Sequence, residues 1–323
     1  HSSATDVSLW VRPDGTHIYN WFIFTAGFMN RRYSRRTVLA GGASAVLAGL
    51  AGCLSQDDDG QDDTVDTYPG DSGSAPSDLD SAQVPFRDWL VNPELAPGVG
   101  DNEDRVYRFE YVPGDFLTEI AQGRASVLDI DPAVVEGQLL QIPAVIYFGE
   151  FDQSALETAI ESADGYTLTG DHESYRTARN TEAGTRFALG EEAVLIGREL
   201  ELWIDTRIGA NARLEETTSV FTQLFDRVPT DLNVSGQLGP SPTFEADLDS
   251  LNAWISASAK PTAGGSVAQT WVYAFDGQPS EDTTQSIQRE LSSNPLIDSV
   301  TETATDGQFL TVNGELVSPD LDS

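Results

Sequence analysis

Residues 142–148 read Ile-Pro-Ala-Val-Ile-Tyr-Phe, an almost continuously apolar run near the middle of the chain. A strand with one solvent-facing side would alternate apolar and polar residues, and this run does not. It therefore predicts a central strand that is buried on both faces. We expect a helix next, because Ser154 and Glu157 form a capping-box pattern and residues 156–163 place apolar side chains on one helical face.

Further elements follow from the same two periodicities. The apolar and aromatic residues predict strands at 106–112, 166–168, 174–178, 186–189, 193–197, 232–238, 269–275, 297–303 and 309–312. They predict helices at 217–228, at 248–255 and around residues 287–291, whereas 128–141 is ambiguous and 199–208 fits either type but favours a helix. The dipeptide Asp306-Gly307 between two strand patterns indicates a hairpin turn.

The order of these elements predicts the fold class. Three aromatic-rich strands, around Tyr111, Tyr147 and Tyr273, each lead through a Gly-and-acid turn into an amphipathic segment. This order predicts an α+β fold, with mixed or antiparallel sheets, packed helices and ferredoxin-like β-α-β units. The Gly-Pro-Ser-Pro stretch at 239–242 is the best internal boundary, so the 84–317 region forms either one large domain or two α+β subdomains, 84–238 and a smaller 239–317. Residues 318–323 are a tail.

A different pattern occupies the N-terminal region. Arg35 and Arg36 stand within Ser-Arg-Arg-Thr-Val-Leu, an apolar run over 38–50 follows, and Leu50, Ala51 and Gly52 lead directly to a cysteine. The apolar run is too short to cross about 30 Å of hydrocarbon as a helix, but it has the length of a signal-peptide apolar region.

The two halves of this pattern resemble known export signals. The arginine pair with its flanking residues resembles a twin-arginine export signal, which a receptor reads as an address. Leu50 to Cys53 resembles a lipobox, which implies that the Cys53 thiol takes a lipid and becomes the mature N-terminus. Cys53 is the only cysteine in the chain, so it has no partner for an intramolecular disulfide.

The same pattern divides the N-terminal region. Met29 is the only methionine, and a signal over 29–52 has a natural length. We expect residues 1–28 to be upstream translation outside the product. Residues 53–83 carry runs of Asp, Gly, Ser and Pro with few large apolar residues, which predicts a lipid-anchored, disordered acidic tether.

The charge of the chain is strongly one-sided. The chain has 18 basic and 52 acidic residues. Five of the basic and two of the acidic residues lie within the first 53 positions. The remaining chain therefore has 13 basic and 50 acidic residues and a net charge of −37. Lys260 is the only lysine. Self-repulsion of this size opposes compaction, and molar salt screens it by shortening the Debye length to about 3 Å.

An acid excess with almost no lysine resembles the proteins of extremely halophilic archaea, a group that exports many lipoproteins by the twin-arginine route. The resemblance covers the signal, the lipobox, the tether and the composition, and it implies a protein held at the outer face of the cytoplasmic membrane. The composition also excludes nucleic acid as a partner, because no basic patch is present to neutralise phosphates.

The residues that could carry chemistry are few. The only histidine beyond the signal, His172, is expected to be a solvated loop residue. The closest carboxylate groups, which lack the Ca²⁺-loop spacing of an EF-hand, are Asp129 with Asp131, Glu245 with Asp247 and Asp249, and Asp276 with Glu281 and Asp282. Lys260 precedes a proline, which favours a place at the end of a helix over a Ser-Lys dyad. Asn233-Val-Ser is a glycosylation sequon within a predicted strand.

Three functions remain in view. We expect first a lipid-anchored extracytoplasmic protein with a non-catalytic binding or envelope-interaction domain, without metal or cofactor. A substrate-binding lipoprotein of an importer is the alternative, and it needs two lobes around a cleft. A carboxylate-based hydrolase is the third, and it needs two acids that converge in a pocket. The expected partners are the membrane, through the lipid on Cys53, and the twin-arginine translocase during export.

Overall fold

A computed structural model of the protein describes residues 85–97, 106–117, 125–229, 231–239, 248, 250–260 and 265–317. The signal, the lipobox and the tether lie outside these residues, as do the acids at 245, 247 and 249. In the described ranges, no helix is long and apolar enough to cross a membrane.

The described residues form twelve strands and five α-helices. The strands are β1 (Arg108–Pro113), β2 (Val135–Gln141), β3 (Ala144–Gly149), β4 (Tyr166–His172), β5 (Tyr175–Asn180), β6 (Arg186–Leu189), β7 (Ala193–Gly197), β8 (Asn233–Leu238), β9 (Leu251–Ser258), β10 (Val267–Phe275), β11 (Ile297–Asp306) and β12 (Phe309–Leu316). The helices are α1 (Gln153–Ser162), α2 (Leu200–Arg207), α3 (Leu214–Thr217), α4 (Val220–Phe225) and α5 (Glu281–Ser293), and a 3-10 helix covers Pro85–Trp89.

All twelve strands belong to one antiparallel sheet, in the order β11-β12-β10-β9-β8-β1-β2-β3-β7-β6-β5-β4. Because neighbours alternate in direction, β10 and β11 run parallel with β12 between them, and α5 connects the two. This is the split β-α-β arrangement of a ferredoxin-like unit. The connection from β3 through α1 to β4 also joins parallel strands, which three strands separate. The predicted α+β class is confirmed.

Helices cover both faces of the sheet, and β3 shows why. Its alternate residues Ala144, Ile146 and Phe148 pack in one hydrophobic cluster with α2 and α4. The residue between the last two, Tyr147, packs on the opposite face in a cluster with α1. The prediction of a strand buried on both faces is therefore confirmed, and two-sided burial explains why its sequence does not alternate.

One predicted element is wrong. Residues 251–258 form β9, between β8 and β10, where the spacing of Leu251, Trp254 and Ile255 had favoured a helix. Ile255 packs in the cluster with α4, and Trp254 is buried on the other face. A strand with two buried faces has apolar residues at every spacing, so some of them match a helical period by coincidence.

Another local prediction needs correction at the start of α1. Ser154 and Glu157 do not form the cap of this helix. The N-cap is Asp152, whose Oδ1 accepts a hydrogen bond from the backbone N–H of Ala155 at 3.1 Å. A carboxylate satisfies one of the four free N–H groups of a first helical turn, so the helix begins two residues earlier than the capping-box pattern indicated.

The division at residue 239 stays a prediction. It falls between β8 and β9, which pair through six residues, from Asn233 opposite Ser258 to Leu238 opposite Ala253. The sheet therefore runs without a break from one side of the predicted boundary to the other.

A buried amide ties the start of the folded part to the sheet. The side chain of Gln141 donates a hydrogen bond to the Tyr107 hydroxyl at 2.6 Å. Its Oε1 accepts from Trp203 Nε1 at 2.9 Å and from the backbone N–H of Val91 at 3.2 Å. The Tyr107 hydroxyl donates in turn to the Val91 carbonyl oxygen at 2.7 Å. One side chain thus connects the N-terminal segment of the folded part (residues 85–97), β2 and α2.

We predict that Gln141→Leu lowers the free energy of unfolding by about 3 kcal/mol, because it leaves the buried Trp203 and Val91 N–H groups unpaired at about 1–3 kcal/mol each. Denaturant titration in molar salt measures this loss. The matched control is Gln285→Leu on the exposed surface of α5, which should change stability by less than about 0.5 kcal/mol. Equal losses in the two variants would contradict the role of the buried amide.

Candidate functional site

His172 does not occupy a loop, as the sequence had indicated. It is the last residue of β4, half-buried, and its Nε2 lies 2.8 Å from Asp205 Oδ1 on α2. The loop prediction failed because β4 extends four residues beyond the predicted strand and carries His172 to the helix. The imidazole and the carboxylate form one hydrogen bond, whose donor depends on the tautomer of the ring.

Two of the predicted carboxylates have structural partners within the fold. Asp131 Oδ1 accepts from the backbone N–H of Ala133 at 2.9 Å, and Asp276 Oδ1 accepts from Asn252 Nδ2 at 2.8 Å. Within the ranges that the structure describes, no three His, Cys, Asp or Glu side chains are grouped to hold a metal ion.

The two remaining candidate residues are Lys260 and Asn233. Lys260 Nζ lies 3.4 Å from Asp115 Oδ2 in an exposed ion pair. Asn233 is the first residue of β8; its side chain is half-buried and its Oδ1 is enclosed without a hydrogen-bond partner. Glycosylation at Asn233 stays a prediction. The asparagine stands on a strand, and its side chain is half-buried.

One carboxyl on the sheet has an altered proton affinity. Glu110 lies on β1, half-buried, and burial raises its pKa, whereas the nearby Arg108 guanidinium lowers it. Burial also lowers the pKa of Arg108. These two residues point to the same face of β1 because they are two positions apart.

A groove lies at the β4 edge of the sheet. It has a volume of about 400 Å³ and is lined by Thr169, Arg179, Asn180, Thr181, Gly184 and Arg186. Arg179 on β5 and Arg186 on β6 are direct cross-strand partners. Side chains at such positions have Cβ atoms about 4.5–5.5 Å apart, so two positive charges stand side by side.

The turn between β5 and β6 forms one wall of this groove. The Asn180 side-chain oxygen accepts hydrogen bonds from the N–H groups of Glu182 at 2.9 Å and Ala183 at 2.7 Å. Gly184 has φ of +68°, a conformation that glycine adopts without strain. An asparagine and a glycine at these two places close the turn, and the two arginines flank it at the adjoining ends of both strands.

The two arginines differ in their partners. Arg186 donates to both carboxylate oxygens of Glu201 on α2, with Nη1 to Oε2 at 2.9 Å. This pairing lowers the pKa of Glu201, with the Arg186 hydrogen bond as the largest cause. In the described part of the chain, Arg179 is exposed and has no ion pair or hydrogen bond through its side chain.

Arg179 and Arg186 were not predicted from the sequence as site residues. Each is an ordinary polar residue of a predicted strand, and their adjacency depends on the register of the β5–β6 hairpin. The available signal was the segment Arg-Asn-Thr-Glu-Ala-Gly-Thr-Arg over 179–186, in which two arginines flank a turn. In a chain with so few cations, this arrangement favours the binding of a negatively charged group.

The chain was compared with family models, curated proteins and solved structures. No family model and no curated protein matches the chain. Crystal form III of a protein named TP0453 is similar, with a TM-score of 0.47 at 8% identity, covering 72% of this chain and 94% of that chain. Crystal form IV of the same protein gives a TM-score of 0.40 at 8% identity, covering 67% and 90%.

We predict that Glu201→Gln reduces the loss of stability in acid. The folded-state pKa of Glu201 is lowered, so its ionised form stabilises the fold above the unfolded-state pKa, and this contribution disappears as the pH falls through the folded-state value. The pair is about one-third exposed, so the contribution at neutral pH should be below about 1 kcal/mol.

The measurement is the difference in unfolding free energy between wild type and Glu201→Gln at pH values from neutral to acid. The wild type should be the more stable at neutral pH, and the difference should shrink as the pH falls below the range of an ordinary glutamate. A difference that is constant with pH would show that the ionised Glu201 does not stabilise the fold. Glu281→Gln on α5 is the control, because that exposed side chain contacts only a glutamine of its own helix.

Proposed function

We propose that this chain is a lipid-anchored, extracytoplasmic binding protein without catalytic activity, adapted to high salt. The observation that carries the proposal is the succession Arg35-Arg36, an apolar run over 38–50 and Cys53. Each part has the position that export and lipid attachment require, and Cys53 is the only thiol available for the lipid.

The way in which the folded part begins supports a tethered domain. The 3-10 helix at Pro85–Trp89 directly follows the predicted tether. Arg87 Nε donates to Glu215 Oε1 at 2.7 Å, and Asp88 forms an ion pair with Arg213. Phe86, Trp89 and Leu90 are fully buried in the main hydrophobic cluster. A chain that is held at its end by a lipid needs this kind of firm junction, because any pull on the tether acts here first.

The carboxylate that pairs with a groove arginine, Glu201, suits binding better than catalysis. Glu201 has a lowered pKa, whereas a carboxyl that donates a proton near neutral pH needs a raised one. Its two oxygens are already engaged by Arg186. The raised pKa of Glu110 is the single observation that favours a carboxylate-based hydrolase, and the charge that acts on this carboxyl is the cation Arg108 rather than a second acid.

The importer alternative receives less support. A substrate-binding lipoprotein of that kind would need two lobes around a cleft. Here β8 and β9 pair across the predicted boundary between the subdomains, within one twelve-stranded sheet.

We predict that Cys53→Ser releases the protein from the membrane. Without the thiol no lipid can be attached, and two acyl chains are the usual requirement for a stable anchor. The measurements are the mass of the protein extracted from membranes and the distribution of each variant between membrane and medium. The wild type should start at Cys53 and carry a lipid-sized mass increment. Ser55→Ala, next to the lipobox, is the control and should stay membrane-bound.

Two outcomes would contradict this assignment. One is a mature chain that starts elsewhere and carries no lipid. The other is a Cys53→Ser protein that stays with the membrane. A double Arg35→Lys, Arg36→Lys variant tests the route, because the precursor should accumulate inside the cell when the arginine pair is lost. Export of that variant at the wild-type level would exclude the twin-arginine route.

We also predict that the thermal unfolding midpoint rises steeply with potassium chloride up to about one molar. The net charge of −37 beyond residue 53 opposes folding by self-repulsion, and the Debye length falls from about 10 Å at 0.1 M salt to about 3 Å at 1 M. Calorimetry across a salt series measures the effect. A midpoint that is unchanged or falls over this range would contradict adaptation to high salt.

A further inference from the structure

We propose that the groove between β4, β5 and β6 binds a small oxyanion, either a carboxylate or a phosphate or sulfate group, through Arg179 and Arg186. This inference deepens the proposed function by giving it a site and a class of ligand, and it rests on that function for the side of the membrane on which the ligand is met.

The charge of the groove is unbalanced. Like charges directly opposite each other on neighbouring strands destabilise a sheet. Glu201 compensates Arg186, but Arg179 has no acidic partner in the described part of the chain. Most of the described cations have the other arrangement: an acid lies within 4.0 Å of each of Arg87, Arg176, Arg207, Arg213, Arg227 and Lys260. Three further described arginines, Arg108, Arg198 and Arg289, also lack such a partner, but none of them has a second arginine opposite it on a neighbouring strand. Where acids are so abundant, an arginine pair with one acid leaves a positive charge for a ligand.

The groove also supplies hydrogen-bond donors. A guanidinium has five N–H donors in a planar fork that matches a carboxylate or a phosphate in two-point contact. All five donors of Arg179 are available, and Arg186 keeps those that Glu201 does not use. The hydroxyls of Thr169 and Thr181 also line the groove. Thr169 shares a hydrogen bond with Thr177 at 2.9 Å in which either hydroxyl can donate. Thr181 already donates its single hydroxyl hydrogen to the Gly165 carbonyl at 3.0 Å, so it is not a donor for a ligand.

An oxyanion already binds one of the two arginines. The Glu201 carboxylate contacts Nη1 and Nη2 of Arg186 with its two oxygens, so this guanidinium makes a two-point contact with a carboxylate and keeps only its remaining N–H groups for a ligand. Arg179 is its direct neighbour in register. The volume of about 400 Å³ lies within the range of about 300–1,000 Å³ that is typical of small-molecule sites. A small anion fits this space.

The test is isothermal titration calorimetry on the protein extracted from membranes, in the lowest potassium chloride concentration that keeps it folded. The probes are inorganic phosphate, sulfate and succinate, each added separately, so that the phosphate-type and carboxylate-type sources are told apart. Arg179→Gln should weaken binding of the preferred probe by about tenfold or more, as expected when a charge-assisted hydrogen bond is lost. Arg179→Lys keeps the charge but loses the fork, and should weaken binding by a smaller factor.

The control is Arg289→Gln. Arg289 lies on α5, is exposed, and contacts only residues of its own helix, so this variant removes the same charge away from the groove and should bind as the wild type does. Equal weakening in Arg179→Gln and Arg289→Gln would overturn the proposal in favour of a general charge effect. No binding of any probe by folded wild-type protein would also overturn it. Neither result bears on release by Cys53→Ser, so failure of the site and failure of the anchor are distinguishable.

Discussion

The hydrogen bonds of one buried amide hold the parts of this protein together. Gln141 is almost fully enclosed at the end of β2, and its side chain joins the backbone of the N-terminal segment, the hydroxyl of Tyr107 and the indole of Trp203 on α2. Each group would carry a desolvation cost if it were left unpaired. The network therefore selects one position for the incoming chain, and the long sheet extends from both sides of that junction.

The distribution of cations follows from the composition. With so many acids, repulsion is spread over the whole surface, and the few arginines are placed where segments distant in sequence meet. Arg87 joins the N-terminal segment to Glu215. Arg227 reaches Asp306 at 2.7 Å and lies 3.9 Å from the centre of the Phe309 ring. Arg179 makes no such contact among the described residues, although it stands directly beside Arg186 in the β5–β6 hairpin. This difference is the reason for proposing that the groove binds an anion.

Local signals predicted most of the fold. The apolar run at β3, the turn dipeptide between β11 and β12 and the amphipathic pattern of α5 each depend on neighbouring residues, and each was predicted correctly. The prediction failed at β9, because a strand covered on both faces loses its period of two. The groove was not predicted, since the adjacency of Arg179 and Arg186 requires the register of a hairpin whose strands are polar at this end.

By itself the sequence determined the α+β class, the acidic character and the motifs on which export and lipid attachment are proposed, because these depend on composition and on residues close together in the chain. Only the tertiary structure decided that all the strands join one sheet, that Gln141 links β2 to α2, and that Arg179 stands beside a compensated Arg186. These features arise from contacts between residues far apart in sequence or from strand register. Their energies depend on burial and on charge pairing, which no local pattern records.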